Sequence, residues 1–332
     1  MELYLIRHGE TVDNVAGLYA GVRDSTLTNH GVEQARRLGD HFGKGEARVA
    51  FDHIFASPLS RAYKTAQALQ TAQLASGKET QRRLGDHTET TDTVEIVRVS
   101  ELIEQDFGFY EGKSFQARTD PTKSGKDAHR EKHKDDPGFV DVESKESLNG
   151  RADAFLDQHL LPLLDIGDGS RRGAIAVVSH GILLSHLWRR LLLRLPPKSV
   201  TVAPDIIASK GSIVLQHLGG WSNTGYLQLL LTPNGDDMVE NSRSSPAPSA
   251  LRDAIPEYQN EAEMESSAAV GASSKEISST PLMLHGWSTL IVAIDRKDHL
   301  VGLKRQRGGI GRSAHDEGQQ KLTGFFKRNR TS

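Results

Sequence analysis

The spacing of apolar positions predicts short strands that alternate with amphipathic helices along the first two thirds of the chain. Leu3-Tyr4-Leu5-Ile6 is an unbroken apolar run closed by Arg7-His8-Gly9, the pattern of a strand buried on both faces. Val32, Ala35, Leu38 and Phe42 then recur at helical spacing, after the turn-type residues Thr28, Asn29 and Gly31. His53-Ile54-Phe55-Ala56-Ser57 predicts a second strand. Pro58 leads from it into a helix carrying Ala62, Ala66, Leu69 and Gln73 on one face. Proline suits a first helical turn, where an N–H would lack a partner anyway. Ala174-Ile175-Ala176-Val177-Val178 predicts a third strand, followed by Ser179-His180-Gly181 and a helix from Ile182. The alternation predicts an α/β fold, a three-layer sandwich whose mostly parallel central sheet has helices on both faces.

Two stretches break this pattern. Residues 113–147 are polar, mixed in charge and unpatterned around Lys123 to Asp136, and are expected to form an excursion over the sheet. Residues 234–280 hold ten serines and nine acidic residues against three basic ones, the composition of a disordered linker. Beyond it, Leu290-Ile291-Val292-Ala293-Ile294 predicts another strand. The linker is therefore expected to interrupt a domain spanning 1–301, leaving 302–332 as a basic, flexible tail.

Composition narrows the class. At 36% hydrophobic and 6% aromatic, the 332-residue chain is lean for one packed throughout, in keeping with the insert and tail. The formal net charge of −2 argues against a general nucleic-acid or membrane-surface binder. With no cysteine there are no disulfides, thiolate nucleophiles or cysteine-ligated metals. Met1 to Arg7 is too short and too soon charged for a signal peptide. The longest apolar run, Ile182 to Trp188, falls short of a membrane span. A soluble cytoplasmic or nuclear protein, or one found in both compartments, is the expectation.

Three predicted strand-to-helix junctions carry the candidate chemistry: Arg7-His8-Gly9, Ser57-Pro58-Leu59-Ser60-Arg61 and Ser179-His180-Gly181. In an open parallel sheet such junctions share one edge, where backbone N–H groups and helix dipoles favour an anion. Two guanidinium groups and two imidazoles added there suit a phosphate dianion. Singly, each residue has a structural reading: a bonded histidine beside a strand, a surface arginine, a solvated glutamate. The set at three strand ends favours an enzyme site. Gly112-Lys113-Ser114 looks like the end of a P-loop, but Gly108 stands one residue too close.

Arg7-His8-Gly9-Glu10-Thr11 with Asn14, Ser57 to Arg61 with Thr65-Ala66, Glu101 with Phe107-Gly108 and Glu111-Gly112, and Ser179-His180-Gly181 stand in an order that resembles the histidine phosphatase superfamily. More narrowly, they resemble its phosphoglycerate mutase-like branch. The resemblance covers residues 1–232 and resumes at 282–300. It implies a phosphohistidine mechanism in which His8 is the nucleophile and Arg7, Arg61 and His180 clamp the phosphoryl oxygens. Asn14 would add a hydrogen bond, Gly21 and Gly181 would line the substrate site, and Glu101 would be the acid and base. The substrate implied is a small phosphorylated molecule, with no metal and no cofactor. Family mutases carry Ser or Thr where Ala20 precedes Gly21, and a pair of arginines beyond the acid that has no counterpart between Lys113 and Gly150. Both departures favour hydrolysis, with a phosphoglycerate-type mutase as the alternative.

The last 31 residues hold eight Lys or Arg against two acidic residues. Within them Gln319, Leu322, Phe325 and Phe326 resemble the PIP box, the peptide that docks on the replication sliding clamp (proliferating cell nuclear antigen). Leu322, Phe325 and Phe326 would share one face of a helical turn and plug an apolar groove. This predicts a clamp partner through residues 319–326. The competing reading is a terminal turn packed on its own domain.

Overall fold

The computed structural model describes residues 1–44, 48–84, 94–115, 133–165, 173–234, 282–307 and 309–316. Seven strands form one sheet: β1 (Glu2–Arg7), β2 (His53–Ala56), β3 (Ile96–Arg98), β4 (Ala174–Ser179), β5 (Val200–Val202), β6 (Tyr226–Pro233) and β7 (Trp287–Arg296). Their spatial order is β3-β2-β4-β1-β6-β7-β5. Only β6 runs against its neighbours, because it pairs antiparallel with both β1 and β7 while the other ladders are parallel. The α/β sandwich predicted from the alternation is the fold observed. Residues 235–281, which hold nearly all of the expected linker, lie outside the described residues. They connect β6 and β7, which are neighbours in the sheet, so the segment is an insertion in a hairpin rather than a domain boundary.

Strand β1 shows how one short run serves two cores. Side chains alternate across a strand, so Leu3 and Leu5 face one layer while Tyr4 and Ile6 face the other. The first layer contains α4 (Lys145–Phe155), α5 (Leu161–Asp165) and α6 (Gly181–Leu192), contributing Leu148, Phe155, Leu164, Leu184 and Trp188. The second contains α2 (Asn29–Lys44) and α3 (Ser60–Leu84), contributing Leu38, Phe42, Ala62, Ala66 and Leu69. The small faces let these two helices approach closely. A Cβ at Gly39 would lie 2.4 Å from the Ala68 carbonyl oxygen. Two further helices are short: α1 (Val12–Ala16), capped by Thr11, and α7 (Pro204–Lys210). Among the described residues no helix is long and apolar enough to cross a membrane.

The packed body does not stop at residue 301, as the tail expectation had it. Residues 302–307 and 309–316 run back along α2, where Ser313 accepts from the Asn29 N–H and the His315 N–H donates to the Leu27 carbonyl. The basic character of the segment suggested solvent; an ion pair between distant parts of the chain, described below, is what fastens it. The clamp-like residues Gln319, Leu322, Phe325 and Phe326 lie outside the described residues.

Of the expected excursion at 113–147, residues 116–132 also lie outside the described residues. The part after them is folded against residues 106–109. Val140 accepts from the Phe109 N–H, and Glu143 accepts from the N–H of Asp106.

Candidate active site

Register places the chemistry. Strands β2, β4 and β1 are adjacent and parallel; Ala56 pairs with Val178 and Arg7 with Ser179. Ser57, His180 and His8 therefore leave the sheet side by side. A cavity of about 570 Å³ opens over this edge. Arg7, His8, Asn14, Arg61 and Gly181 line it, so five of the residues picked out by sequence converge there. His180 is fully buried immediately behind this wall, with its ring centroid 5.1 Å from that of His8.

Hydrogen bonding sets both imidazole tautomers. A carbonyl can only accept, so the 2.7 Å contact between His8 Nδ1 and the Gly9 oxygen makes Nδ1 the protonated nitrogen. Nε2 of His8 then carries a free lone pair. Arg61 Nε can only donate, so His180 Nδ1, 3.2 Å away, is the acceptor. His180 Nε2 in turn donates to the Ser57 hydroxyl over 2.8 Å. Burial, together with the positive charges of Arg61 and Arg7, holds both rings well below the ordinary histidine value and keeps them neutral.

The two arginines supply positive charge, Arg61 from a buried position and Arg7 from a half-buried one. Arg61 is 1% exposed and donates four hydrogen bonds, to His180 and to the carbonyls of Ala20, Gly21 and Arg23. Arg7 donates to the Trp221 carbonyl at 2.6 Å, while its buried Nε–H has no partner among the described residues. Neither guanidinium forms a salt bridge among the described residues. A desolvated cation without a carboxylate partner favours an anionic guest. Asn14 Oδ1 is already engaged by the Thr11 N–H and by Asn223, which leaves its amide hydrogens for a ligand.

Two expectations come out differently in space. Glu101 does not reach the cavity; its carboxylate accepts from the neighbouring Ser100 hydroxyl. Glu104, three residues on, lines the cavity and is 8% exposed. Its carboxylate sits on the N-terminus of α6, accepting from the N–H groups of Ile182 at 3.2 Å and Leu183 at 3.0 Å. Arg151 fixes this segment by donating to the carbonyls of Glu101, Ile103 and Glu104. Gly21 does not line the cavity either. Its N–H is held by Glu111, its carbonyl by Arg61, and a Cβ there would lie 1.9 Å from the Gln105 oxygen. It is a glycine because two chain segments meet there.

Residues that the motifs did not mark complete the site. Trp221 and Asn223, from the loop before β6, brace Arg7, Asn14 and the His8 carbonyl. Among the described residues no cluster of three or more His, Cys, Asp or Glu is arranged to hold a metal ion.

Residues 3–205 match the family model of the histidine phosphatase superfamily, branch 1. The chain belongs to the histidine phosphatase superfamily. A Schizosaccharomyces pombe protein named as a probable phosphatase is 28% identical over 257 residues, covering 73% of this chain and 69% of that protein. Phosphoserine phosphatase 1 of Hydrogenobacter thermophilus is 26% identical over 195 residues, covering 58% and 76%. Phosphoglycerate mutase-like protein 4 of Arabidopsis thaliana is 27% identical over 190 residues, covering 57% and 70%. The protein is thus a histidine-phosphatase-type hydrolase whose family acts on small phosphorylated molecules.

In this histidine phosphatase the loop that follows β1 is held from far along the chain. Glu10, two residues after His8, is 8% exposed and receives both terminal nitrogens of Arg305, one at 2.6 Å, as well as the Thr28 hydroxyl at 2.8 Å. Burial pushes the Glu10 carboxyl up, and the bonds from Arg305 and Thr28 more than offset it, leaving the carboxyl below its usual value. Gly311 allows the segment to fold over this arginine, since a Cβ would lie 2.6 Å from Arg305 Cγ. The Arg305 side chain is 34% exposed, so solvent discounts the pair. Arg305→Ala is expected to cost about 1–2 kcal/mol, lowering Tm by roughly 3–6 °C and reducing kcat. Arg307→Ala, at an exposed neighbour, should change neither in parallel melting and turnover assays.

Buried neutral histidines also set a pH dependence of stability. Burial lowers His186 and His299 to about 4 and holds His8 and His180 well below the usual value. The unfolded chain takes up protons at about pH 6.5 where the folded one does not. Stability is therefore complete above that value and falls as pH drops through it toward 4. Melting at pH 7.5 and pH 5 should differ by on the order of 5 °C or more. A flat profile over that interval would mean the imidazoles are not held neutral.

Proposed function

We propose that the protein hydrolyses a phosphomonoester through a phosphohistidine on His8. One observation carries this reading: a neutral His8, with Nδ1 tied to Gly9, lines the same cavity as the buried Arg61 and half-buried Arg7 guanidiniums, which have no carboxylate partner among the described residues. The Nε2 lone pair attacks phosphorus as the ester P–O bond breaks. Arg7, Arg61 and the Asn14 amide bind the equatorial oxygens, where charge develops. His180, with both ring nitrogens engaged inside the protein, acts by orienting Arg61.

Glu104 takes the acid–base role that the sequence assigned to Glu101. It is the carboxylate in the cavity wall, and it gives the leaving oxygen a proton. A water then attacks the phosphohistidine and loses its proton to Glu104, releasing inorganic phosphate and restoring both residues. Transfer to water rather than to a second substrate is favoured by Ala20 and by the phosphatase names of two of the three relatives reported above. Turnover in ¹⁸O-labelled water tests this: one labelled oxygen should enter each phosphate released. Conversion of 3-phosphoglycerate to its 2-isomer at a rate matching phosphate release would favour the mutase instead.

The clamp partner is a separate proposal resting on Gln319, Leu322, Phe325 and Phe326 alone. Titration of the full chain with sliding clamp, followed by anisotropy, should give binding that Phe325→Ala plus Phe326→Ala removes. Equal binding by the double variant ends that proposal.

A further inference from the structure

Away from its phosphate-binding floor the cavity changes character. One wall is aromatic: Tyr19 packs against Phe107 with ring centroids 4.6 Å apart and against Phe115 at 4.9 Å, and all three rings line the cavity. Phe115 is nevertheless 46% exposed. A phenyl ring that both lines a cavity and meets solvent is only half covered, and a flat guest would complete its burial. Trp221 lines the same cavity, and its indole N–H donates to the Ser185 hydroxyl at 2.9 Å and so sets the plane of the ring in advance.

The polar groups on these walls are few. The Ser185 hydroxyl has no proton left to offer a ligand, since it donates to the Gly181 carbonyl at 2.8 Å. Arg189, one turn further along α6, lines the cavity and forms no salt bridge among the described residues. A polyhydroxylated leaving group would leave its hydroxyls unpaired against such walls, at a cost for each one desolvated. A flat apolar group with one acidic substituent would match them. The volume of about 570 Å³ leaves room for such a group beside the phosphate.

We propose that this site selects phosphomonoesters whose leaving group is an aromatic ring system bearing a second anionic group. The ring would pack on the Tyr19–Phe107–Phe115 wall, with the anion at Arg189. The inference rests on the phosphatase reading of the same cavity and names its substrate class.

Phosphonate inhibitors separate recognition from reactivity, because their P–C bond is not cleaved. The competitive inhibition constants of ethylphosphonate, benzylphosphonate and 4-carboxybenzylphosphonate are measured against p-nitrophenyl phosphate turnover. Benzylphosphonate is expected to bind about 10-fold more tightly than ethylphosphonate, and the carboxylate to add about another 10-fold, each roughly 1.4 kcal/mol. Arg189→Ala should erase the carboxylate's gain while keeping the ring's. Phe115→Ala should weaken both benzyl compounds while leaving ethylphosphonate as it was. Melting curves check that each variant is folded, and Arg189→Gln and Phe115→Leu serve if one is not. Equal affinities for all three phosphonates, or gains that survive the substitutions, overturn the proposal. Absence of any phosphatase turnover overturns the underlying reading instead, so the two failures are distinct.

Discussion

Replacing His8 with alanine is expected to lower p-nitrophenyl phosphate turnover on the order of 10⁴-fold or more. The size of the effect follows from what else the cavity offers. The Ser57 hydroxyl is fully buried and accepts from His180, and the Ser185 hydroxyl donates to a backbone carbonyl. The Thr11 hydroxyl accepts from the Asn14 N–H and caps a helix. None of these has a base aimed at it, so no second nucleophile stands ready. Arg7 and Arg61 would still bind substrate, and KM should therefore change far less than kcat. His8 is buried beside both guanidiniums, so the alanine variant loses a poorly solvated ring and is expected to fold. Quenching into alkaline detergent, which preserves the acid-labile P–N bond, with labelled substrate should capture a phosphoryl group on the wild-type chain and none on the variant. A His8→Ala enzyme retaining a tenth of its activity would eliminate the phosphohistidine route.

The second large effect distinguishes two glutamates three residues apart. Glu104→Gln should slow alkyl phosphates by roughly 10²–10⁴-fold, because an alkoxide leaves poorly without a proton. With p-nitrophenyl phosphate, whose leaving group needs no acid, the same variant should form phosphohistidine readily and hydrolyse it slowly. A burst of about one equivalent of nitrophenolate, followed by slow turnover, is the signature. Glu101→Gln should stay within about two-fold of wild type, because that carboxylate faces Ser100 and lies off the cavity. If Glu101→Gln shows the burst and Glu104→Gln does not, the acid has been misassigned and the original sequence expectation holds.

Why the choice between these acids was hidden is itself physical. Both stand in one acidic segment before Phe107-Gly108, at a spacing that fits either in an irregular stretch. The segment is a short 3-10 turn over Ser100–Leu102 followed by extended chain, so no periodicity assigns a face. What aims Glu104 is the N-terminus of α6, some eighty residues later, together with the grip of Arg151 on three carbonyls. The place of Gly21 was hidden for a related reason. Its contact partners are Gln105 and Glu111, and a glycine that admits a crossing chain looks in sequence like one that admits a ligand.

The sequence by itself determined the layered α/β architecture, because each element carries its own period and the alternation leaves few ways to bury both faces of a sheet. It also determined that Arg7, His8, Arg61 and His180 would meet, since motifs at the ends of parallel strands are delivered to one edge whatever lies between them. Only the tertiary structure decided how that edge is finished. Glu104 rather than Glu101 faces the cavity, Trp221 and Asn223 brace the catalytic loop, and Arg305 reaches Glu10 across 295 positions of sequence. These are single long-range contacts made by irregular segments. They repeat nowhere along the chain, so no local pattern announces them, and the packing of distant loops on one edge of the sheet is what brings them about.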